Sequence, residues 1–339
     1  MLIEDGALIK KAGTWQAAAE VGEARIPDTI QALMAARIDR LEPEEKRVLQ
    51  EASVVGRVFW ERSILHLTAD LSENTLENRL RGLEIKELVS EHDDSQLPGE
   101  QEWGFNHILV RDVTYESMPR VRRASKHTQV AQWIEKKAAD RLESFVEMLA
   151  YHWEQAALVD LEMGALLGRA EGSGETRRKA ADYLKLAGDK AKSMQSNLEA
   201  NSLYGRAMTI LDSLLQDGDA TGDSLIDLHL TILCNHAEVL EGLGEYNKAI
   251  QQMELVREKA QERGLKQAEG DALRLLGNLY RNKGDLTEAE RLARMALDCQ
   301  TDESETKGKG ETLLLMGKVF HDLGQPGESR RWAESALAE

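Results

Sequence analysis

The residue of this chain best placed for chemistry is a histidine that closes a strand-like run and opens a helical one. In Trp103-Gly104-Phe105-Asn106-His107, the three residues from Trp103 read as a closing β-strand, and His107, Val110, Val113, Thr114 and Ser117 then recur at helical spacing. A strand-to-helix junction offers backbone N–H groups, with the His107 ring beside them, to an anion such as a phosphate. The position equally suits a histidine that opens a helix with its ring satisfied locally. Other groupings fall short. His229, Cys234 and His236 lie close together, yet on a helix Cys234 points about 140° away from His229, so they make no metal site. Gly172 to Thr176 and Gly308 to Thr312 look like phosphate loops but lack the Gly-Lys-Ser/Thr ending, and no Walker A loop occurs. His107 to Asp112 echoes a kinase catalytic loop, but neither the loop Asn nor Asp-Phe-Gly follows. No catalytic residue, metal or cofactor is therefore assigned to this chain, which is read as not an enzyme.

The elements that position these residues must come from a chain of 339 residues, 42% hydrophobic, with a formal charge of −17. That length fits about two or three domains. The charge opposes general binding to nucleic acid or to an anionic membrane, since both would repel the summed field. Arg120, Arg122, Arg123, Lys126 and His127 form a local basic patch, but Glu116 and Glu135 lie near it, so a solvated helix face is expected. No apolar run reaches membrane-spanning length and no signal-peptide pattern opens the chain, so a cytoplasmic location is expected. Cys234 and Cys299 are read as reduced core thiols.

Residues 1–25 read as the tail of a missing upstream module, with a hairpin from Ala7 to Trp15 turning at Lys11 to Gly13. From Pro27 a helix presents Ile30, Leu33, Met34, Ile38 and Leu41 on one face. The spacing then predicts helices over 44–55, 60–67 and 72–86, and strands over 88–91 and 102–105. Three helices and a two-stranded wing make a winged helix, which with the linker helix before it fills 26–127. The would-be recognition helix carries Glu73, Glu77, Glu84 and Glu87, and the wing is acidic too, which opposes DNA reading. Connecting helices are expected over 128–178.

The run Phe105, one residue, His107, an apolar stretch and Arg111-Asp112 resembles the end of the winged helix in STAND NTPases, the signal-transduction ATPases with numerous domains, where it is the counterpart of the "MHD" motif. The stretch from Ile26 to Phe59 resembles the same family, particularly members found beside bacterial nucleotide cyclases. Together the resemblance covers Ile26 to about Ala157. It implies that His107 contacts the β-phosphate of ADP held by an upstream ATPase module. One departure stands out: the family's Asp after the histidine is Ile108 here.

From Lys179 to the end a repeat takes over. Gly277, Tyr280, Gly284, Ala289, Ala293 and Ala296 are matched forty residues on by Gly317, Phe320, Gly324, Ser329, Ala333 and Ala336. Forty residues earlier stand Ala237, Leu240, Gly244, Ala249, Met253 and Val256, and Gly188, Ala200, Tyr204 and Ala207 open a more divergent unit. Small residues there let antiparallel helices approach closely, and Gly244 and Gly284 suit left-handed helix caps. The pattern resembles tetratricopeptide repeats of a long-period type, about four units over 179–339. That resemblance turns Arg274, Asn278, Arg281 and Asn282, then Lys318, His321 and Asp322, toward a groove. Arg with Asn can hold the carboxylates of an acidic peptide, while Glu238 and Glu241 favour a partner with charges of both signs. A solvated polar face without a ligand is the alternative.

The expected fold is thus mainly α, a winged helix followed by an α-solenoid of tetratricopeptide-like helix pairs. The expected function is the non-catalytic regulatory and protein-interaction segment of a STAND-type ATPase, with ATP or ADP and Mg held upstream. Expected partners are that ATPase module and a protein or peptide on the repeats. The chain is expected to be cut at both ends. A free-standing repeat adaptor, or part of a transcription regulator akin to the maltose-regulon activator, is the alternative.

Overall fold

The structure is a computed structural model that describes residues 8–11, 14–17, 28–167, 173–216, 223–300 and 306–338. The chain divides into two compact units, Met1–Lys126 and His127–Glu339.

In the first unit, β1 (Leu8–Lys11) pairs antiparallel with β2 (Thr14–Ala17), Leu8 opposite Ala17 and Lys11 opposite Thr14. The middle of the turn expected there, and the helix start expected at Pro27, lie outside the described residues. Six helices and strands then follow α1 (Asp28–Asp39): α2 (Pro43–Val55), β3 (Val58–Trp60), α3 (Glu61–Leu67), α4 (Glu73–Ile85), β4 (Val89–His92) and β5 (Glu102–Phe105). The last helix wholly within the unit is α5 (Ile108–Glu116).

Local chemistry sets the boundaries. Pro43 opens α2 within a capping box of Glu42 and Glu45, and the Ser72 hydroxyl accepts from the Thr75 amide to start α4. Leu76, Leu80 and Leu83 fall on one face of α4 and are buried, whereas Glu73 and Glu77 are exposed.

The expected two-stranded wing is corrected to a three-stranded antiparallel sheet in the order β3-β5-β4. Val58 lies opposite Gly104 and Trp60 opposite Glu102, so Trp60 ends a strand in extended conformation and caps α3, which starts at Glu61. Phe59 and Trp60 are both fully buried, and the Trp60 indole donates to the buried Glu102 carboxylate at 3.2 Å. A bulky aromatic pair gains from that pleated, fully covered position.

Across the division runs α6 (Arg120–Lys137). The second unit continues with a 3-10 segment (Ala139–Phe145) and α7 (Val146–Leu167). Four helix pairs follow. They are α8 (Ser173–Ser193) with α9 (Asn197–Gln216), α10 (Asp223–Gly242) with α11 (Tyr246–Arg263), α12 (Lys266–Asn282) with α13 (Leu286–Cys299), and α14 (Thr306–Asp322) with α15 (Pro326–Ala338). Each pair also packs on the next, and first helices touch first helices: α8 on α10, α10 on α12, α12 on α14. One apolar core running through Leu233, Leu240, Met253, Leu276 and Leu292 joins consecutive pairs.

Two glycine positions show why the forty-residue register exists. A Cβ at Gly277 would stand 3.3 Å from the Ala289 carbonyl and 3.6 Å from the Ala293 amide, and at Gly317 the corresponding distances to Ser329 and Ala333 are 3.4 and 3.6 Å. The backbones of paired helices meet at these points. The turn between helices is made by Gly244, Gly284 and Gly324, all left-handed, with φ of 77°, 88° and 71°. In the first pair the same turn is made by Gln195 at φ 59°, a residue without glycine's freedom.

Candidate functional site: the groove across the helix pairs

The first helices of the four pairs line a polar groove, and a cavity of about 510 Å³ opens in it among α8, α10, α12 and α14. Lys192, Cys234, Glu238, Asp271, Arg274 and Glu311 are among its walls. Because the repeats share one period, groove residues recur at equivalent places, and side chains of neighbouring first helices come within reach of one another.

Neighbouring first helices bind one another across the groove. Arg274 meets Glu311 at 3.1 Å and Asp271 at 3.9 Å. Arg281 donates to Asp322 at 2.7 Å and to the side-chain oxygens of Asn278 and Asn282. Asn278 donates to Glu241 at 2.7 Å, and Asn282 donates to the same carboxylate oxygen. Lys192 pairs with Glu238, and Asn235 donates to Asp189 at 2.9 Å. The four α12 residues expected to hold a ligand are thus brought together, and each is already bonded across to α10 or α14 or to its neighbours on α12. Charge reversal at Arg274 or Arg281 therefore perturbs the joints between repeats as well as any ligand. Lys318 and His321 are exposed on α14, with no hydrogen bond or ion pair among the described residues.

Electrostatics single out Glu241. It is half-buried, and burial raises its carboxyl above the ordinary range, with Glu238 one turn away adding to the rise. The Asn282 amide, Arg281 and Lys318 pull the other way. Cys234, expected to be a core thiol, lines the cavity as a free cysteine, and burial pushes its thiol up to about 12. His229 lies 3.5 Å from Asp212, and both ring nitrogens of His236 are hydrogen-bonded, to Gln252 at 3.2 Å and Asn201 at 2.8 Å. No group of three His, Cys, Asp or Glu side chains among the described residues is arranged to hold a metal.

Sequence reasoning missed Asp189, Lys192, Asp271 and Glu311. The signal was present in the period, since Glu311 stands forty residues after Asp271 and both line the cavity.

In the first unit, His107 is the N-terminal flanking residue of α5, in extended conformation, exposed and without a side-chain capping bond. The basic residues of α4 and its end are engaged: Arg79 with Glu44 at 2.6 Å, Arg81 with Glu84 and Glu91, Lys86 with Glu45. In the basic patch, Arg122 meets the fully buried Glu51 at 2.9 Å, Lys126 lies 3.4 Å from it, and Arg123 stacks on Tyr115. These cations are held by protein groups, which leaves little free charge for phosphates.

Residues 228–302 and 270–338 each match the family model described as tetratricopeptide repeat. These residues are tetratricopeptide repeats. The match takes in the pairs from α10 to α15, and the α8–α9 pair repeats the same register beyond it. Tyr204 there fills the place of Ala293 and lays its ring against Gly188, with its hydroxyl donating to Asp189 at 2.6 Å. No curated protein matches the chain at a significant level. Among solved structures, BtubC (BKLC) from P. vanneervenii is similar at 16% identity over 66% of this chain and 91% of that one, with a TM-score of 0.41. The putative kinesin light chain repeats from Podosopora anserina are 15% identical over 65% and 96%, TM-score 0.41. A STAND protein with a tetratricopeptide repeat sensor from Pyrococcus horikoshii is 13% identical over 90% of this chain and 52% of that one, TM-score 0.39. Likenesses at this level bear on no functional statement. No helix among the described residues is long and apolar enough to cross a membrane.

Proposed function

We propose that the chain is the non-catalytic regulatory and protein-interaction part of a STAND-type signalling ATPase. Its repeats bind a protein or peptide in the groove of α8, α10, α12 and α14. The observation that carries this is the groove itself, a polar surface with a 510 Å³ cavity laid over the apolar core that joins the helix pairs α10–α11 and α12–α13. Rigid helix pairs hold that surface in place, so binding there costs little ordering.

The first unit supports the regulatory half of the reading. Its order of α2, α3, α4 and the β4–β5 hairpin, with β3 at the other edge, supports reading it as a winged helix. His107 is exposed where α5 begins, open to an anion brought by another module. ATP or ADP with Mg belongs to that module, and occupancy of the repeats biases its closed and open states.

Two measurements test the reading. Calorimetric titration of this chain with ADP and ATP is expected to give no heat, and saturable binding would place a nucleotide site here and refute the non-catalytic assignment. In a protein that also carries the ATPase module, His107→Ala is expected to speed ADP release. Unchanged release sinks the phosphate role.

A further inference from the structure

The groove is not evenly neutralised. In the cavity, Lys192 is set against Glu238, and Arg274 against both Asp271 and Glu311, so both of these cations are already engaged by carboxylates. Glu241, one turn along α10 from Glu238, adds another carboxylate. Its hydrogen bonds come from the neutral amides of Asn278 and Asn282, both to the same oxygen, and no cation lies within ion-pair distance among the described residues. Arg281 is the nearest strong cation in sequence register, and it is committed to Asp322 at 2.7 Å. An acidic ligand would have to displace Glu311 from Arg274 or Asp322 from Arg281 and would meet Glu241 beside them. A cationic side chain meets a carboxylate already oriented by two amides from the adjacent helix, and loses nothing in partner exchange.

We infer that the groove seats an arginine or lysine side chain of an extended polypeptide on Glu241, with Asn278 and Asn282 fixing the carboxylate that receives it. This rests on the proposed use of the groove for polypeptide binding, and it reverses the preference for acidic peptides that the arginines alone imply. Burial of Glu241 strengthens the pairing, because the carboxylate is partly withdrawn from water before the ligand arrives. Lys318, which acts on Glu241 from α14 and is exposed, opposes the seat and sets the sign of a second test.

The full chain is titrated with fluorescein-labelled Gly/Ser peptides carrying an Arg pair, a Glu pair or neither, and separately exposed to an immobilised pool of degenerate peptides. The Arg peptide is expected to bind at least about tenfold tighter than the other two, a preference weakened by salt. Glu241→Gln, whose amide oxygen can still accept from Asn278 and Asn282, is expected to abolish the preference. Lys318→Glu is expected to enlarge it, and Glu254→Gln, exposed on α11, to leave it unchanged. A Glu peptide that binds as well, or a preference untouched by Glu241→Gln, overturns the inference. Retention of the degenerate pool without any cation preference also overturns it while the groove reading stands. Failure to retain any peptide removes both.

Discussion

Replacing Gly284 by Ala isolates the conformational part of the repeat turn. Gly284 sits at φ 88°, and a Cβ built there meets nothing within 4 Å, so the substitution brings no clash and no new contact. The whole effect lies in the backbone. A left-handed conformation costs an L-residue roughly 1–2 kcal/mol. Against this, Ala narrows the unfolded ensemble by about 0.4–1 kcal/mol. The net destabilisation is on the order of 1 kcal/mol. The turn cannot escape by rearranging, because the amides of Gly284 and Asp285 close it onto the carbonyls of Arg281 at 2.9 Å and Tyr280 at 3.0 Å. Gln195 supplies the reciprocal experiment. It occupies the same turn in the first helix pair at φ 59° and its side chain is exposed, so Gln195→Gly removes strain without removing packing. It should stabilise by about 0.5–1 kcal/mol. Reversible urea unfolding followed by circular dichroism reads both. Native-state hydrogen exchange on α12–α13 and α8–α9 then localises each effect, since repeat arrays need not unfold in one step. A neutral Gly284→Ala together with a destabilising Gln195→Gly would refute the left-handed-cap account.

Other perturbations separate core, ion pair and groove. Leu276→Ala, at a fully buried site in the core joining the repeats, is expected to cost about 2–5 kcal/mol in a thermal or urea melt. Arg206 holds the buried Glu154 of α7 through two hydrogen bonds, so Arg206→Ala strands a carboxylate. The loss should be about 1–2 kcal/mol, below that of a fully buried pair because Arg206 is partly exposed, and Glu154→Gln should recover part of it. Glu241 has a raised folded-state pKa, so its contribution to stability is present in acid and is lost as pH rises through that value. Glu241→Gln should accordingly stabilise the fold at pH 7, and the gain should vanish below the ordinary carboxyl range. A less stable variant at neutral pH would contradict the assignment. Glu269 is the opposite case, its pKa lowered by Lys266 and Gln261, so Glu269→Gln should flatten the loss of stability as pH falls below that range.

The local code was legible wherever period and punctuation coincide. Gly277, Gly284 and their counterparts at forty-residue intervals specify close helix approach and left-handed turns from the identity of single residues, and the structure uses them that way. The leucines of α4 and the capping box of α2 set helices by the same local logic. The third strand was not legible. Val58–Trp60 is too short for a period, and its state depends on β5, more than forty residues away, offering a pairing edge and a covered face. The groove divides in the same way. Sequence by itself determined the forty-residue period, and the repeat resemblance drawn from it turned Arg274, Asn278, Arg281 and Asn282 toward the groove while passing over Asp189, Lys192, Asp271 and Glu311. Only the tertiary structure decided what those residues do there. Adjacent first helices bring Arg281 to Asp322, Arg274 to Glu311 and two asparagines to Glu241, so charges that look available in a list are spent between repeats. Pairing is a matter of distance between elements remote in sequence, and that distance is set by how closely the helices pack.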